Sequence, residues 1–249
     1  AVTVAGLNVT GLTVNTLYHF RLDASNTAGT TNGSDLTFST INSPTVTTNP
    51  ATSIFATTAV LNGSVNPNGS ATNAWFEWGT TTSYGSSNAT TPQAMGSGTV
   101  AVTVIGLNVT GLTALTAYHF RLDASNTAGT AYGSDLTFTT INAPTVTTTA
   151  ATNVLINTAT LNGTVNPNGS ATTAWFEWGT TTGYGTSNAS TPQSMGSGTV
   201  AVAVNALNIS GLNPVTLYHF RLDATNTVGL TNGSDLTFST INVPSVTTL

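Results

Sequence analysis

The sequence predicts an all-β protein built as a linear array of tandem β-sandwiches, and two observations carry this prediction. First, the 249-residue chain repeats itself with a period of 100 residues, because the segment at 17–42 returns at 117–142 and again at 217–242. A fixed period of this kind is the signature of an array of one folding unit. Second, apolar and polar residues alternate with a period of two in several short stretches, which is typical of half-buried strands.

The clearest alternation lies at 118–124, where the Tyr, Phe, Leu and Ala residues fall on one side and the His, Arg and Asp residues on the other. Further strands are predicted at 59–65, 75–78, 100–105, 136–138 and 144–148. Turn-forming residues separate them, as in Asn66-Pro67-Asn68-Gly69. No stretch of ten residues has helical periodicity. Short strands spaced by turns within about 100 residues are typical of a β-sandwich.

The repeat also predicts the domain organisation. We expect the C-terminal half of a repeat at 1–42, complete repeats at 43–142 and 143–242, and the first strand of a following repeat at 243–249. An isolated half-sandwich would expose its inner face. Either the chain is an excerpt of a longer array, or a neighbouring chain completes the half by strand addition. The second explanation is disfavoured, because the two ends contain no counterpart of 75–78.

The composition limits the classes of function. Only 4% of the residues are charged, the net charge is −5, and the basic residues are Arg21, Arg121 and Arg221. Binding to nucleic acid requires a basic surface, so it is excluded. No apolar run reaches the 18 residues of a membrane span, so we predict no membrane insertion. A hydrophobic content of 39% argues against disorder. The chain has no cysteine and therefore no disulfide framework.

The segment 212–218 reads L-N-P-V-T-L-Y and is followed by F-R-L-D-A-T-N at 220–226. These residues resemble the entry into strand F of fibronectin type III domains, and the chain resembles bacterial repeats of that family along its whole length. The resemblance implies an immunoglobulin-like sandwich. It also implies that Tyr18, Tyr118 and Tyr218 are tyrosine-corner residues, whose hydroxyl bonds to the backbone just upstream. The proline of the motif is absent from the first two copies.

Strand F is expected to lie beside strand C, which carries Glu77. Arg121 opposite Glu77, and Arg221 opposite Glu177, would then form cross-strand ion pairs. Trp75 lies on the same side as Glu77, so we expect it to flank the guanidinium. This face either fixes the register of the sheet or forms a binding platform. Arg21 should lack a partner, because its strand C is not in the chain.

Large aromatic residues cluster around strand C. We expect Phe76 and Trp78 to fill the core, whereas Trp75 and its counterpart Trp175 point the other way and could stack on a sugar ring. The predicted core has the same members in each complete repeat. In the first repeat these are Leu61, Phe76, Trp78, Tyr118, Phe120, Leu122 and Phe138.

The three histidines, His19, His119 and His219, do not indicate catalysis or a metal site. Each lies in the middle of a strand, and no second His or Cys is near enough in sequence to complete a set of zinc ligands. The chain also lacks a nucleophile elbow of the G-x-S-x-G type. We therefore predict that the protein is not an enzyme and binds no cofactor.

A tandem array with so little charge favours a structural extracellular protein that forms a surface fibre, filament, stalk or coat. The absence of lysine leaves few sites for trypsin-like proteases, which suits an exposed position. We expect self-association end to end, with possible contacts to glycans or to a cell surface. The alternative is an adhesin, or the carbohydrate-binding accessory modules of a secreted enzyme. In both cases we expect an extracellular or cell-surface location.

Overall fold

The computed structural model describes residues 2–244 and 246, and within that part of the chain it contains 24 strands and no helix. The chain divides into two compact units. The first comprises residues 1–52, 60–108 and 118–138, and the second comprises 53–59, 109–117 and 139–249. The predicted boundaries at 42/43 and 142/143 stay predictions.

The first 42 residues form two small ladders. Strand β1 (Leu17–Phe20) pairs with β4 (Leu36–Ser39), and β2 (Asp23–Asn26) pairs with β3 (Gly29–Asn32). Both pairings are antiparallel and connect parts of the chain that are close in sequence. Residues 2–16, which precede β1, form no strand.

The next ten strands cover the first complete repeat. They are β5 (Thr45–Thr52), β6 (Thr58–Asn66), β7 (Thr72–Gly79), β8 (Ser86–Ser87), β9 (Gln93–Gly96), β10 (Val102–Thr103), β11 (Leu107–Thr110), β12 (Ala117–Asn126), β13 (Gly129–Tyr132) and β14 (Leu136–Thr139). One sheet contains β5, β6, β10 and β11, and the other contains β7, β8, β9, β12, β13 and β14.

The last ten strands repeat this pattern. They are β15 (Thr145–Thr152), β16 (Thr158–Asn166), β17 (Thr172–Gly179), β18 (Thr186–Ser187), β19 (Gln193–Gly196), β20 (Val202–Ala203), β21 (Leu207–Ser210), β22 (Leu217–Thr225), β23 (Leu230–Asn232) and β24 (Leu236–Ser239). Their two sheets have the same strand order as those of the first repeat.

This topology is that of an immunoglobulin-like sandwich, with strands A, B and E in one sheet and C, F and G in the other. The alternation in the sequence explains which residues are buried. Along β6, every second residue from Ala59 to Val65 is buried, and along β12 the same holds from Tyr118 to Ala124. The predicted all-β, tandem-sandwich fold is confirmed.

Both sheets contribute to one core in each repeat. In the second repeat Leu161, Phe176 and Phe220 belong to a single cluster. In the first repeat the two sheets meet so closely at Gly63 that a Cβ there would lie 2.5 Å from Leu122 Cδ2. All the predicted core residues of the first repeat are buried except Trp78, which is half-buried.

The strand predicted at 100–105 is wrong in its length. Only Val102 and Thr103 pair with β6, and Val100 is exposed. Val104 still donates its backbone N–H to the Gly63 carbonyl oxygen of β6 at 2.9 Å, so the N–H of Ile105 points away from β6, and it donates to the side chain of Gln93 at 3.0 Å. Residues 105–106 separate β10 from β11, which also pairs with β6, and the alternation within 100–105 does not reveal this break.

Candidate functional site

The charged residues of each repeat lie together on the outer side of the sheet that contains strands C and F. In the first complete repeat this charged cluster consists of Glu77, His119, Arg121, Asp123 and Asp135. Its counterparts in the second are Glu177, His219, Arg221, Asp223 and Asp235. Together with His19, Arg21, Asp23 and Asp35, these residues account for every Asp, Glu, Arg and His of the chain.

The ladder between β7 and β12 brings Arg121 and Glu77 together. The two residues are register partners, and Arg121 Nη2 donates to Glu77 Oε2 at 2.9 Å. Arg121 Nε lies 3.0 Å from Asp123 Oδ1, so the guanidinium bridges two carboxylates. The core residues on the opposite side of β7 and β12 set the register of the two strands. The same register determines which outer residues lie opposite each other.

The second repeat reproduces this geometry. Arg221 Nη2 donates to Glu177 Oε2 at 2.9 Å, and Arg221 Nε lies 3.0 Å from Asp223 Oδ2. The two complete repeats differ in sequence and still form the same bridge, so the bridge is a common feature of the repeat. It follows from the register of strands C and F.

Tyrosine rings, rather than the expected tryptophan, cover the guanidinium. The Cζ atom of Arg121 lies 4.9 Å from the centroid of Tyr84 and 4.5 Å from that of Tyr132. Arg221 lies 4.9 Å from Tyr184. Trp75 is instead the register partner of Asp123, two residues along the ladder from Arg121. The prediction for Trp75 did not consider Tyr84, which reaches this face from a turn after strand C.

The turn that carries Tyr84 depends on a glycine. Tyr84 has a φ of 58°, and its carbonyl oxygen lies where a Cβ on Gly79 would be placed, at 1.4 Å. No other residue fits there without moving the turn. The same holds for Gly179 and Tyr184, where the distance is 1.5 Å. Gly79 therefore sets the position of the ring over the arginine.

A second carboxylate links the tyrosine to the histidine. The Tyr84 hydroxyl donates to Asp135 Oδ1 at 3.1 Å, and His119 Nδ1 lies 2.8 Å from Asp135 Oδ2. Burial and this hydrogen bond raise the pKa of Tyr84, and the same causes raise the pKa of Tyr184 to about 12. The tyrosines therefore act as neutral donors at physiological pH.

Asp123 is fully buried, although the alternation predicted that it points outward. It does lie on the outer side of β12, but its neighbours cover it. Burial raises the pKa of Asp123 to about 6 against the opposing effect of Arg121, and Asp223 behaves in the same way. Burial alone favours the neutral form of each aspartate, and the neighbouring arginine stabilises the charged form.

The first 42 residues retain part of the charged cluster. His19 Nδ1 lies 2.8 Å from Asp35 Oδ2, as in the complete repeats. The expectation that Arg21 has no partner is wrong, because its Nε lies 3.1 Å from Asp23 Oδ1. Arg21 lies in the two-residue gap between β1 and β2, and Asp23 is the first residue of β2, so this contact is local in sequence and does not require strand C. The side chain of Arg21 remains 53% exposed, about twice as much as that of Arg121.

Tyr18 and Tyr218 accept the backbone hydrogen bond that the resemblance implies for a tyrosine corner. The backbone N–H of Thr13 donates to the Tyr18 hydroxyl at 2.8 Å, and that of Asn213 to the Tyr218 hydroxyl at 2.9 Å. Tyr118 is buried, and its ring stacks on Phe138 with centroids 5.6 Å apart.

The tryptophans proposed as glycan contacts are both half-buried. The indole nitrogen of Trp175 is buried and has no hydrogen-bond partner among the residues that the structure describes. Trp75 lines a small cavity with Asn88 and Gln93. The side chains of both these residues already accept hydrogen bonds from backbone N–H groups, at 2.6 and 3.0 Å. Glycan contact at Trp75 and Trp175 stays a prediction.

Sequence reasoning missed the tyrosines and the Tyr84–Asp135–His119 chain. The signal was available, because Tyr84, His119 and Asp135 each recur 100 residues later. In the part of the chain that the structure describes, no group of three His, Cys, Asp or Glu residues could hold a metal ion. The same residues include no helix that is long and apolar enough to cross a membrane.

The chain matches no protein-family model, and no curated protein matches its sequence. Among solved structures it is similar to titin domains A168–A170, at 16% identity and a TM-score of 0.44, over 92% of this chain and 75% of that one. It is also similar to domains FN1–FN3 of chicken CNTN1, at 15% identity and a TM-score of 0.33, over 92% and 76%.

A third similar structure is the sensor domain of the anti-sigma factor RsgI4 of Pseudobacteroides cellulosolvens. The identity is 18% and the TM-score 0.28, over 43% of this chain and 97% of that one. The assignment of the fold here rests on the strand topology and the shared core of each repeat. By that topology the chain is a tandem array of fibronectin III-like and immunoglobulin-like sandwiches.

Proposed function

We propose that the protein is a non-enzymatic structural repeat protein, whose sandwiches build a fibre, filament, stalk or coat outside the cell. One observation carries this proposal. In both complete repeats the charged side chains pair with one another, through the same contacts at the same 2.9 and 2.8 Å distances. Side chains that pair within the unit support the sheet, whereas a catalytic site needs groups directed at a substrate.

The surface composition supports an exposed position. The chain has no lysine, and each complete repeat carries a single arginine, which lies in mid-strand and is only about a quarter exposed. A protease of the trypsin type therefore finds few cleavable bonds. Only 4% of the residues are charged, so hydroxyl and amide groups hydrate the surface. Hydration by neutral groups depends little on the salt concentration. Both properties suit an extracellular array that associates with its own kind.

The test is to locate the native protein on its source cells by immunogold electron microscopy. Labelled filaments or a labelled coat would support the proposal. A soluble secreted enzyme that carries these repeats would overturn it and favour the carbohydrate-binding alternative. That alternative has its own readout: polysaccharide binding by the chain that is lost when Trp75→Ala and Trp175→Ala are combined and is retained when Val100→Ala and Val200→Ala are combined, which change exposed positions elsewhere in the same two repeats.

A further inference from the structure

Residues 2–42 present an open apolar face that the complete repeats do not have. Phe20 is 50% exposed and Leu22 is 60% exposed, whereas Phe120 and Leu122, one period later, are fully buried. The face continues into the preceding segment, where it forms a groove. The groove is lined by Val4, Leu7, Leu12, Phe20, Leu36 and Phe38, among others.

The complete repeats show what covers this face. Leu122 packs against β6 at Gly63, where a Cβ would come within 2.5 Å of the leucine side chain. Leu222 packs in the same way against Gly163, with a corresponding distance of 2.6 Å. The covering segment must therefore carry glycine opposite the leucine, because any larger residue would displace it.

Two polar contacts specify the covering segment further. The backbone N–H of Leu122 donates to Thr48 Oγ1 of β5 at 3.1 Å, and that of Leu222 donates to Thr148 Oγ1 at 3.1 Å. The buried leucine N–H needs this acceptor. Arg121 pairs with Glu77 of strand C as well as with Asp123, whereas its counterpart Arg21 pairs with Asp23 alone in the part of the chain that the structure describes. The partner should therefore carry a hydroxyl opposite the Leu22 N–H, a glycine opposite the Leu22 side chain and a glutamate opposite Arg21.

We propose that the open face of residues 2–42 is the docking face for a repeat front half with the chemistry of residues 43–100. In the complete repeat the front half ends at Val100 and continues directly into 101–112, which matches 1–12 at every position except Ala5. Such a segment buries Phe20 and Leu22, accepts the Leu22 N–H and pairs with Arg21. This inference is independent of the proposed function, since any tandem array could contain it.

The test compares the chain 1–249 with an extended chain in which residues 43–100 are fused ahead of Ala1. Amide hydrogen exchange is measured at Leu17–Phe20 and Leu36–Ser39. In the monomeric chain these amides should exchange much faster than those at Ala117–Phe120 and Leu136–Thr139. In the extended chain the two sets should exchange at similar rates.

Substitutions show whether docking occurs through the face itself. Leu22→Ala should leave exchange in the chain 1–249 unchanged and should speed it on the order of a hundredfold in the extended chain, where the side chain is buried. Leu17→Ala is the matched control, because Leu17 is exposed and its counterpart in the complete repeat is already alanine. This control should have no effect in either chain.

Three outcomes would overturn the proposal. The first is full protection of Leu17–Phe20 in a proven monomer of 1–249. The second is an extended chain that gives no added protection, or one in which Leu22→Ala has no effect. The third is protection in 1–249 that rises with protein concentration, which would show that a second copy covers the face instead.

Discussion

Residues 2–12 and 102–112 differ at one position, Ala5 against Ile105, yet they have different structures. The later copy forms β10 and β11 and buries Val109, whereas the earlier copy forms no strand and leaves Val9 57% exposed. The later copy lies in a sheet with β6, and the earlier copy has no such strand beside it. The comparison shows that this sequence becomes a strand only where a partner supplies the ladder.

Contacts that are local in sequence do not differ between the two regions. Tyr18 stacks on Phe38 with centroids 5.7 Å apart, and Tyr118 on Phe138 at 5.6 Å. The Nδ1 atoms of His19 and His119 both lie 2.8 Å from an aspartate oxygen. The strand pair that carries these residues therefore forms without the front half. What the front half adds is burial, worth about 1.5–3 kcal/mol for each large apolar side chain.

The largest expected difference concerns the core phenylalanine. Phe120→Ala should lower the free energy of unfolding of its sandwich by about 3–5 kcal/mol, because it leaves a cavity at a fully buried position. Phe20→Ala should cost less than about 1 kcal/mol, because Phe20 is half exposed. Urea denaturation followed by tryptophan fluorescence measures the loss in Phe120→Ala, and amide hydrogen exchange at Leu17–Phe20 measures the loss in Phe20→Ala, because residues 2–42 contain no tryptophan. Equal losses would mean that residues 2–42 have a covered core.

The arginine pair gives the next largest difference. Arg121→Gln leaves buried Asp123 without its counter-charge and should cost about 3 kcal/mol at pH 7.5. Arg21→Gln should cost almost nothing, because Asp23 is partly exposed and water can replace the arginine. The measurement is the urea midpoint of each variant. A small loss in Arg121→Gln would show that the bridge does not stabilise the sheet.

The pH dependence of stability should follow the buried aspartates. The pKa values of Asp123 and Asp223 are raised from 3.8 to about 6 on folding, so the folded state binds more protons between these values. This contribution is fully present below pH 3.8 and is lost as the pH rises through 6. Stability should therefore fall by about 1 kcal/mol per sandwich between pH 5 and 7.

Thermal melts across this range measure the effect. Asp123→Asn together with Asp223→Asn should flatten the profile, because asparagine does not titrate. A profile that rises from pH 5 to 7 in the unsubstituted chain would contradict the assignment. The double variant separates these two groups from the remaining carboxylates.

The smallest expected effect comes from a strained turn. Val215 has a φ of 51°, a conformation that is costly for a β-branched residue, and the equivalent position in the first copy is Asn15, with a φ of 52°. Val215→Asn should stabilise the second repeat by about 0.5–1 kcal/mol, because asparagine tolerates this region and Val215 is mostly exposed. Val200→Asn, at an exposed position elsewhere in this repeat, is the control and should give no gain.

The sequence predicted the features that depend on alternation and on the period. These include the two sheets, most of the core and the register that pairs Arg121 with Glu77. It did not predict Tyr84 over the guanidinium, because a turn with positive φ at Tyr84 directs the ring there. It also missed the burial of Asp123. Whether an outward residue is covered depends on neighbours from other strands, and alternation along one strand does not contain them.

The covering front half, and not the local sequence, decides whether residues 2–12 form strands. Amide hydrogen exchange of monomeric 1–249 tests it most directly, by comparing residues 7–10 with residues 107–110, which have the same sequence, LNVT. We predict that the amides of 107–110 are strongly protected and that those of 7–10 exchange almost as fast as in an unfolded chain. Equal protection of the two segments in the monomer would contradict the claim.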